Sequence, residues 1–288
     1  MKRRKNLPGL RLLAILAAGA IAPSLYAQQV PPAPVDTAPA AVDIAPAAAP
    51  AMAPAVAPAS EPAVAPVIVP AAIPAPVIPV AKHAEFGKEK PSRVARRVAD
   101  WVLDSGDNKG RPYVVLDKVA ARVYLFEADG RLRGAAAALL GIAIGDHSAP
   151  GVGDREMSTI PLKDRTTPAG RFEAGIGRNY SGKEILWVDY DAAISMHPVI
   201  NTVPHERRPH RLATETPLDN RISFGCINVP IPFFKTIVSP AFTPAGGVVY
   251  VLPEVLPLDK VIATYDVDER AQMLANNPNV RAEPDLAQ

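Results

Sequence analysis

A proline at nearly every third or fourth position between residues 30 and 80 limits what this 288-residue chain can fold into. The segment begins PPAPVDTAPAAVDIAPAAAP and is almost entirely alanine, proline and valine. Proline has no N–H to donate and a fixed φ, so it blocks both helix formation and strand pairing. We therefore predict a disordered, Ala/Pro-rich spacer over residues 28–85, extended in the polyproline II conformation. Such a spacer either lets a folded head range away from its attachment point or is a passive linker.

The first 27 residues have the features of a secretory signal peptide. MKRRK supplies a positively charged start, residues 10–25 are an apolar run broken by Pro23, and Ala27 ends the segment with a small side chain. A membrane span needs about 20 apolar residues, so this run is short. We therefore expect export to the periplasm or cell envelope, with cleavage near Ala27. An uncleaved membrane anchor is the alternative, and only that alternative would attach the protein to the membrane.

The charge balance gives no reason to expect a nucleic-acid partner. Without residues 1–27 the chain keeps 26 basic residues against 29 acidic ones, so its net charge is near −3. Binding to a phosphate backbone requires a basic surface, which this balance does not indicate.

Residues 86–258 have the length and composition of one domain, with a core over 110–253. Ser92 is the predicted N-cap of a helix that runs through Asp104, because apolar residues recur there at three- and four-residue spacing. Short β-rich runs punctuated by Gly, Pro and Asp follow: YVVLDK, ARVYLFEADG, GRFEAGI, ILWVDY, AAISMH, RISFGCINV and GGVVYVLP.

This pattern predicts a mainly β fold, a β-sandwich or mixed-sheet domain with a few short helices. IPFFKTIV, with Pro230 before it, predicts one of those helices. Residues 259–288 are polar, and we predict a poorly ordered tail there.

Cys226, in the segment NRISFGCINVP, is the one cysteine of the sequence. A thiol becomes a useful nucleophile as a thiolate, which requires a basic neighbour. Gly225 permits a sharp turn and the close approach of a substrate, and the N–H groups of Gly225 and Cys226 are candidate oxyanion donors. Asn228 is placed to orient a base or to bind a peptide carbonyl. The alternative interpretation is that Cys226 is a small buried core residue.

His197 is the best candidate for the base among five histidines, because it ends the strand-like AAISMH at a loop. His205 and His210, in HERRPH, are five residues apart with a proline between them. They cannot share a helix face in the way that a zinc protease motif requires, so we predict no metal site. The basic loop around them is either a solvated surface or a binding element for a carboxylate-bearing substrate.

SFGCINV, together with the upstream SMH and TTPAGRF, resembles the catalytic domain of the bacterial L,D-transpeptidases. That family is marked by a histidine and, after a variable gap, by Ser/Thr-His-Gly-Cys with Asn or Arg two places on. YVVLDKVAARVYLFEADGRL is similar to the family's opening hairpin, and the resemblance covers roughly residues 110–253. It implies that Cys226 is the nucleophile and His197 the general base. Ser223, Gly225 and Asn228 then form the supporting motif.

Two features depart from the family pattern. Phe224 stands where the family usually has its second histidine, and His197 precedes Cys226 by 29 positions, a longer gap than is usual. The longer gap lengthens the loop over the site, NTVPHERRPHRLATETPLDN, which is predicted to form a substrate lid or an acceptor-binding element. The candidate substrate-binding side chains are Arg207 and Arg208 in this loop and Arg221 directly after it.

The resemblance implies peptidoglycan chemistry without a metal or an organic cofactor. The cysteine attacks the carbonyl of the third residue of a stem peptide, D-alanine leaves, and an amine takes the acyl group. That amine belongs to a second stem peptide, a protein lysine or a free D-amino acid. Two alternatives stay open: a carboxypeptidase or endopeptidase that uses water as the acceptor, and an inactive cell-wall-binding relative.

Overall fold

A mixed sheet of eight strands forms the centre of the computed structural model, which describes residues 80–276. The predicted signal peptide and the predicted spacer up to residue 79 lie outside the described residues. The strands are β1 (Tyr113–Asp117), β2 (Arg122–Phe126), β3 (Leu132–Ala137), β4 (Leu140–Gly141), β5 (Gly170–Arg178), β6 (Glu184–Asp189), β7 (Ile194–Pro198), β8 (Arg221–Ser223), β9 (Ile227–Val229) and β10 (Gly247–Val251).

The strand order in the large sheet is β3-β2-β1-β10-β5-β6-β7-β9. The β1–β10 and β7–β9 pairs are parallel, and the other neighbours are antiparallel. Strands β4 and β8 form a separate parallel pair. The prediction of a mainly β domain is therefore confirmed, in its mixed-sheet form.

The helices are short, as predicted. They are α1 (Arg93–Ser105), α2 (Arg208–Arg211), α3 (Ile231–Phe233), α4 (Ser239–Phe242) and α5 (Val267–Asn276), and a π-helical turn, Phe234–Val238, joins α3 to α4. Single 3₁₀ turns lie at Val152–Asp154, Met157–Thr159, Leu162–Asp164, Pro204–Glu206 and Leu258–Lys260. Within residues 80–276, no helix has both the length and the apolar character needed to cross a bilayer.

Each face of the sheet has its own hydrophobic core. On one face, buried side chains of the helical segment 231–242, such as Phe234 and Phe242, pack against strand residues such as Leu186. On the other face, α1 packs through Val98 and Val102 against the strands, including Tyr250 of β10. The helices cover opposite faces because the strands are apolar on both sides here, as β1 shows by being buried along its whole length.

Helix α1 begins at the residue that the sequence indicates. The Ser92 hydroxyl accepts a hydrogen bond from the Ala95 N–H at 3.1 Å and donates one to Asp117 Oδ2 at 2.6 Å. The first bond satisfies a free N–H at the helix start, and the second ties the cap to β1. Gly106 ends the helix in the left-handed region, at φ 69°. The predicted helix is confirmed, with its end one residue later than expected.

The folded part extends beyond both predicted boundaries. Ala84 is buried, and the Glu85 backbone exchanges hydrogen bonds with residues 130 and 132, so residues 84 and 85 belong to the domain and not to the spacer. At the other end, residues 259–276 are not the poorly ordered tail that polarity suggested. Tyr265 and Arg270 both donate to the Asp104 carboxylate on α1, at 2.7 and 3.0 Å. Contacts with α1 order this segment. The polarity of the sequence alone does not reveal such contacts.

A buried ion cluster joins three distant segments of the chain. The Lys118 side chain is fully buried, and its Nζ donates to Asp146 Oδ1 at 2.7 Å and to the Thr167 carbonyl at 2.9 Å. Glu254 lies 3.4 Å from the same Nζ and also binds the Arg221 guanidinium. Burial opposes ionisation of Asp146, but Lys118 and three backbone N–H groups of residues 254–256 lower its pKa to about 2. The cluster therefore holds the segments around 118, 146 and 254 together.

We expect Lys118→Met to lower the free energy of unfolding by about 3–5 kcal/mol, because it leaves buried carboxylates without their cation. Urea denaturation of the native and variant proteins measures this loss. Lys88→Met is the matched control, because Lys88 is exposed and should tolerate the change. Equal stability of the two variants would contradict the role assigned to the cluster.

Candidate active site

The segment predicted as one strand, RISFGCINV, is interrupted by a turn that carries the cysteine. Strand β8 ends at Ser223 and β9 begins at Ile227, so Gly225 and Cys226 lie between them. Gly225 has φ 130°, and a Cβ there would lie 2.6 Å from the Thr166 carbonyl oxygen. Only glycine fits this position, where the chain bends between β8 and β9.

Four hydrogen bonds fix the turn. The Ser223 hydroxyl donates to the Cys226 carbonyl at 2.7 Å and accepts from the Gly225 N–H at 3.0 Å. Thr167 donates through Oγ1 to the Gly225 carbonyl at 2.7 Å, and Asn228 donates through Nδ2 to the Cys226 carbonyl at 3.2 Å. The predicted supporting residues Ser223, Gly225 and Asn228 are thus brought together around the cysteine.

One predicted role needs correction. The Gly225 N–H is already bound to Ser223 and is buried, so it does not supply the oxyanion donor that the sequence suggested. Among residues 80–276, no acceptor binds the Cys226 N–H. That amide is therefore the candidate donor for an oxyanion.

The parallel pairing of β7 with β9 brings His197 close to Cys226. His197 is in register with Asn228, which lies two residues after Cys226. The His197 Nδ1 lies 2.8 Å from the Pro198 carbonyl oxygen, which can only accept, so Nδ1 carries the proton. The neutral imidazole therefore has its lone pair on Nε2. The Cys226 Sγ is half-buried, 3.6 Å from both Ser195 Oγ and the Ala193 carbonyl oxygen.

The pKa values of this pair are shifted in opposite directions. Burial opposes ionisation of the thiol, but interactions with His197 and then Ser195 outweigh it, so the pKa of Cys226 is lowered. Burial also opposes protonation of the imidazole, but interactions with Cys226 and the Pro198 carbonyl leave the pKa of His197 raised. Each partner favours the charged form of the other, which is the electrostatic condition for a reactive cysteine.

The 201–220 loop reaches the site through one arginine. Arg208 donates to Asn228 Oδ1 at 3.0 Å and to Glu206 Oε2 at 2.5 Å. Its charge also acts to lower the pKa of His197, against the dominant upward shift. Of the predicted substrate-binding arginines, Arg208 is therefore at the site, although its guanidinium already has partners. Arg207 is exposed in the same loop and is the residue directly before α2.

Arg221 has partners inside the protein. Its guanidinium binds the Glu254 carboxylate and donates to the Lys118 carbonyl at 3.1 Å. This places Arg221 in the buried ion cluster with its guanidinium already bound, so the structure gives no support for its predicted substrate role, which stays a prediction. Its position directly after the loop gave no indication of the partner, because Glu254 is 33 residues away in sequence.

Three residues at the site were not singled out from the sequence. Ser195 contacts the sulfur, Thr167 holds the Gly225 carbonyl, and the Arg165 guanidinium lies 3.8 Å from the centroid of the Phe224 ring. Ser195 could have been identified from the sequence, because it precedes His197 by two positions and therefore lies on the same side of the strand. Thr167 lies within the quoted TTPAGRF, but its partner is remote in sequence.

Among the residues that the structure describes, no group of three or more His, Cys, Asp or Glu side chains is arranged to hold a metal ion. His205 and His210 lie in separate short helical turns of the 201–220 loop.

Comparisons with known proteins give similarity to solved structures alone. No family model matches the chain, and neither does any curated protein. The chain is similar to an L,D-transpeptidase from Xylanimonas cellulosilytica, at 14% identity and a TM-score of 0.29, over 49% of this chain and 60% of that one. It is also similar to the catalytic domain of the E. faecium L,D-transpeptidase, at 17% identity and a TM-score of 0.29, over 50% and 98%. A third, from Stackebrandtia nassauensis, has 14% identity and a TM-score of 0.30, over 51% and 57%.

These similar structures are L,D-transpeptidases, and the chain spans about 60% of the first of them. At such TM-scores the similarity carries no weight for residue roles or for activity.

We expect alkylation of Cys226 by iodoacetamide to have its pH midpoint below that of an ordinary cysteine, because the rate follows the thiolate fraction. His197→Asn removes the partner that favours the thiolate, so the midpoint should move to higher pH. Intact-mass measurement of the alkylated fraction at each pH is specific, because the chain has one cysteine. His205→Asn, an exposed histidine, is the control and should not move the midpoint. Equal midpoints for the native protein and the His197→Asn variant would show that the imidazole does not affect ionisation of the thiol.

Gly225→Ala should reduce acylation of Cys226 about a hundredfold, since small displacements of a reacting group have costs of that size. The new methyl group would collide with the Thr166 carbonyl and shift the turn. Gly87→Ala is the matched control, because Gly87 also has positive φ but a Cβ added there would meet nothing within 4 Å. Acylation at the native rate by a folded Gly225→Ala protein would contradict this account of the turn.

Proposed function

We propose that the protein is a peptidoglycan L,D-transpeptidase that forms a thioester between Cys226 and a stem peptide. The observation that carries the proposal is the pair of Cys226 and His197, with opposed pKa shifts and Nδ1 of the imidazole held by Pro198. The choice of a stem peptide as substrate comes from the sequence motif around Cys226 and its resemblance to this family. The buried-core interpretation of the cysteine is disfavoured, because Cys226 is partly exposed and His197 lowers the pKa of its thiol.

Acylation begins with transfer of the Cys226 proton to Nε2 of His197. The thiolate attacks the carbonyl carbon of the third stem residue, and the Cys226 N–H stabilises the resulting oxyanion. When this intermediate collapses, the C–N bond to the terminal D-alanine breaks. His197 returns its proton to the leaving amine, and a thioester remains on the sulfur.

The second half reverses these roles. An acceptor amine attacks the thioester carbonyl, His197 takes a proton from that amine, and the C–S bond breaks to release the sulfur. The acceptor is a second stem peptide, a protein lysine or a free D-amino acid. Both halves use side chains and backbone of this chain, and they require no cofactor.

The proposed location is the periplasm or cell envelope, where peptidoglycan is accessible. The support for this is the signal-like sequence of residues 1–27, followed by the Ala/Pro-rich spacer. The spacer would allow the domain to reach stem peptides at some distance from an attachment point.

We expect incubation of the full chain with a carbapenem to give one covalent adduct at Cys226, and Cys226→Ala to give none. With muropeptides that carry tetrapeptide stems and a free D-amino acid, the native protein should form crosslinked dimers or the exchanged product. Cys226→Ser, which keeps the size of the side chain but is a weaker nucleophile, should lose most of this activity. The readouts are intact mass and chromatography of the muropeptides.

Two results would change the conclusion. Trimmed tripeptides without dimers or exchange would make the protein a hydrolase that uses the same thioester. Muropeptide remodelling by Cys226→Ala as fast as by the native protein would exclude the thioester mechanism altogether.

A further inference from the structure

One arginine of the 201–220 loop is largely buried at the edge of the candidate active site. The Arg208 side chain is 15% exposed, and its guanidinium donates from Nε to Glu206 Oε2 at 2.5 Å and from Nη1 to Asn228 Oδ1 at 3.0 Å. Arg211 holds the same part of the loop, because its Nε donates to the Glu206 carbonyl at 2.7 Å. A guanidinium is a rigid planar fork, so two bonds on different nitrogens fix its orientation as well as its position.

Asn228 connects this arginine to the residue that carries the nucleophile. Its side chain is buried, with Oδ1 accepting from Arg208 and Nδ2 donating to the Cys226 carbonyl at 3.2 Å. These partners allow one orientation of the amide, because a guanidinium can only donate and a carbonyl can only accept. The Cys226 carbonyl also accepts from the Ser223 hydroxyl at 2.7 Å. Arg208 is therefore joined through a single amide to the backbone beside the sulfur.

Arg208 also acts on the imidazole through its charge. Burial and the Arg208 cation lower the pKa of His197, whereas interactions with Cys226 and with the Pro198 carbonyl raise it. The upward influence of the cysteine depends on a sulfur that can become a thiolate. A sulfur that carries an acyl group has no such charge, and its upward influence on the pKa is then lost.

The strands on both sides of β7 bring uncharged residues to His197. Asn228 of β9 is in register with it, and Leu186 of β6 is paired with the residue directly before it. The ionisable groups around the imidazole come from the turn and from the loop: Cys226, Arg208 and the Glu206 carboxylate that Arg208 binds. The carboxylate partly offsets the guanidinium charge, so the two side chains of this loop pair act on the imidazole in opposite directions.

We propose that Arg208 is a positioning residue for the second half of the reaction, which holds the backbone of Cys226 through Asn228 and opposes protonation of His197 in the acyl-enzyme. This proposal rests on the function proposed above. With the sulfur acylated, burial and the Arg208 cation keep Nε2 of His197 unprotonated. The imidazole can then take a proton from the attacking amine and give it to the sulfur when the C–S bond breaks.

The first test measures proton binding by His197 without any substrate. It uses the full chain with Cys226→Ala, whose imidazole has no thiolate beside it, as in the acyl-enzyme. NMR titration of the histidine rings should give a higher pKa for His197 when Arg208→Gln is added, because a cation that opposes protonation is lost. Adding Glu206→Gln should instead lower that pKa, because a carboxylate that offsets the cation is lost. Arg97→Gln, the same change at an exposed arginine of α1, is the control and should cause no shift.

The second test measures exchange of a free D-amino acid into a synthetic tetrapeptide stem that ends in D-alanine. Arg208→Gln should lower the rate of exchange about tenfold, the factor that loss of one hydrogen bond to a charged group produces. The acidic limb of its pH–rate profile should also move to higher pH, because His197 stays protonated up to a higher pH. Arg208→Lys keeps the charge without the planar fork, so it should restore the native position of the limb and only part of the rate.

Each outcome decides for or against the proposal. An unshifted pKa of His197 together with an unshifted acidic limb in Arg208→Gln overturns it and leaves the transpeptidase proposal in place. A slower Arg208→Gln protein with no shift means that the arginine has a structural role alone, which also overturns it. If the native protein forms no acyl-enzyme and exchanges no D-amino acid, the proposed function fails, and a shift in the Cys226→Ala background no longer assigns Arg208 to a transfer reaction. Should Arg208→Gln fail to fold, the downward shift expected for Glu206→Gln and the unmoved limb expected for Arg208→Lys decide instead.

Discussion

The parallel pairing of β7 with β9 is the contact on which the candidate site depends. It sets His197 opposite Asn228, and the cysteine that precedes β9 by one residue thereby comes to the imidazole. The pairing alone would leave Cys226 in a continuous strand. Gly225 interrupts that strand. Any side chain at this position would collide with the Thr166 carbonyl. Strand register and one tight turn together produce the opposed pKa shifts of the thiol and the imidazole.

The site is also connected to the most buried charges of the domain. Thr167 donates its hydroxyl hydrogen to the Gly225 carbonyl and accepts a hydrogen bond from Lys118 at its own carbonyl. One residue therefore links the ion cluster to the turn that holds the nucleophile. Loss of one partner of a buried ion pair strongly destabilises a protein. Through Thr167, the position of the turn therefore depends on the whole cluster. Arg221, expected at the substrate, contributes to the site through the same cluster.

The departure at Phe224 has a structural counterpart. Where the L,D-transpeptidase motif usually has a second histidine, the Phe224 ring lies under the Arg165 guanidinium at a distance typical of a cation–π contact. The thiol keeps its pKa-lowering neighbours without that histidine, since His197 and Ser195 supply them. The long 201–220 loop, the second departure, is joined to the site through Arg208 and Asn228.

Local features of the sequence determined the mainly β fold, helix α1 with its Ser92 cap, and the choice of Cys226 and His197 as the candidate thiol and base. These depend on capping chemistry, apolar periodicity and a short motif, all of which act between residues close in sequence. The tertiary structure decided the approach of Cys226 to His197, the partner of Arg221, the contact of Phe224 and the ordering of residues 259–276. These depend on strand order and on contacts between distant segments, and neither leaves a periodic trace in the sequence. Burial and charge pairing across such distances are properties of the folded chain alone.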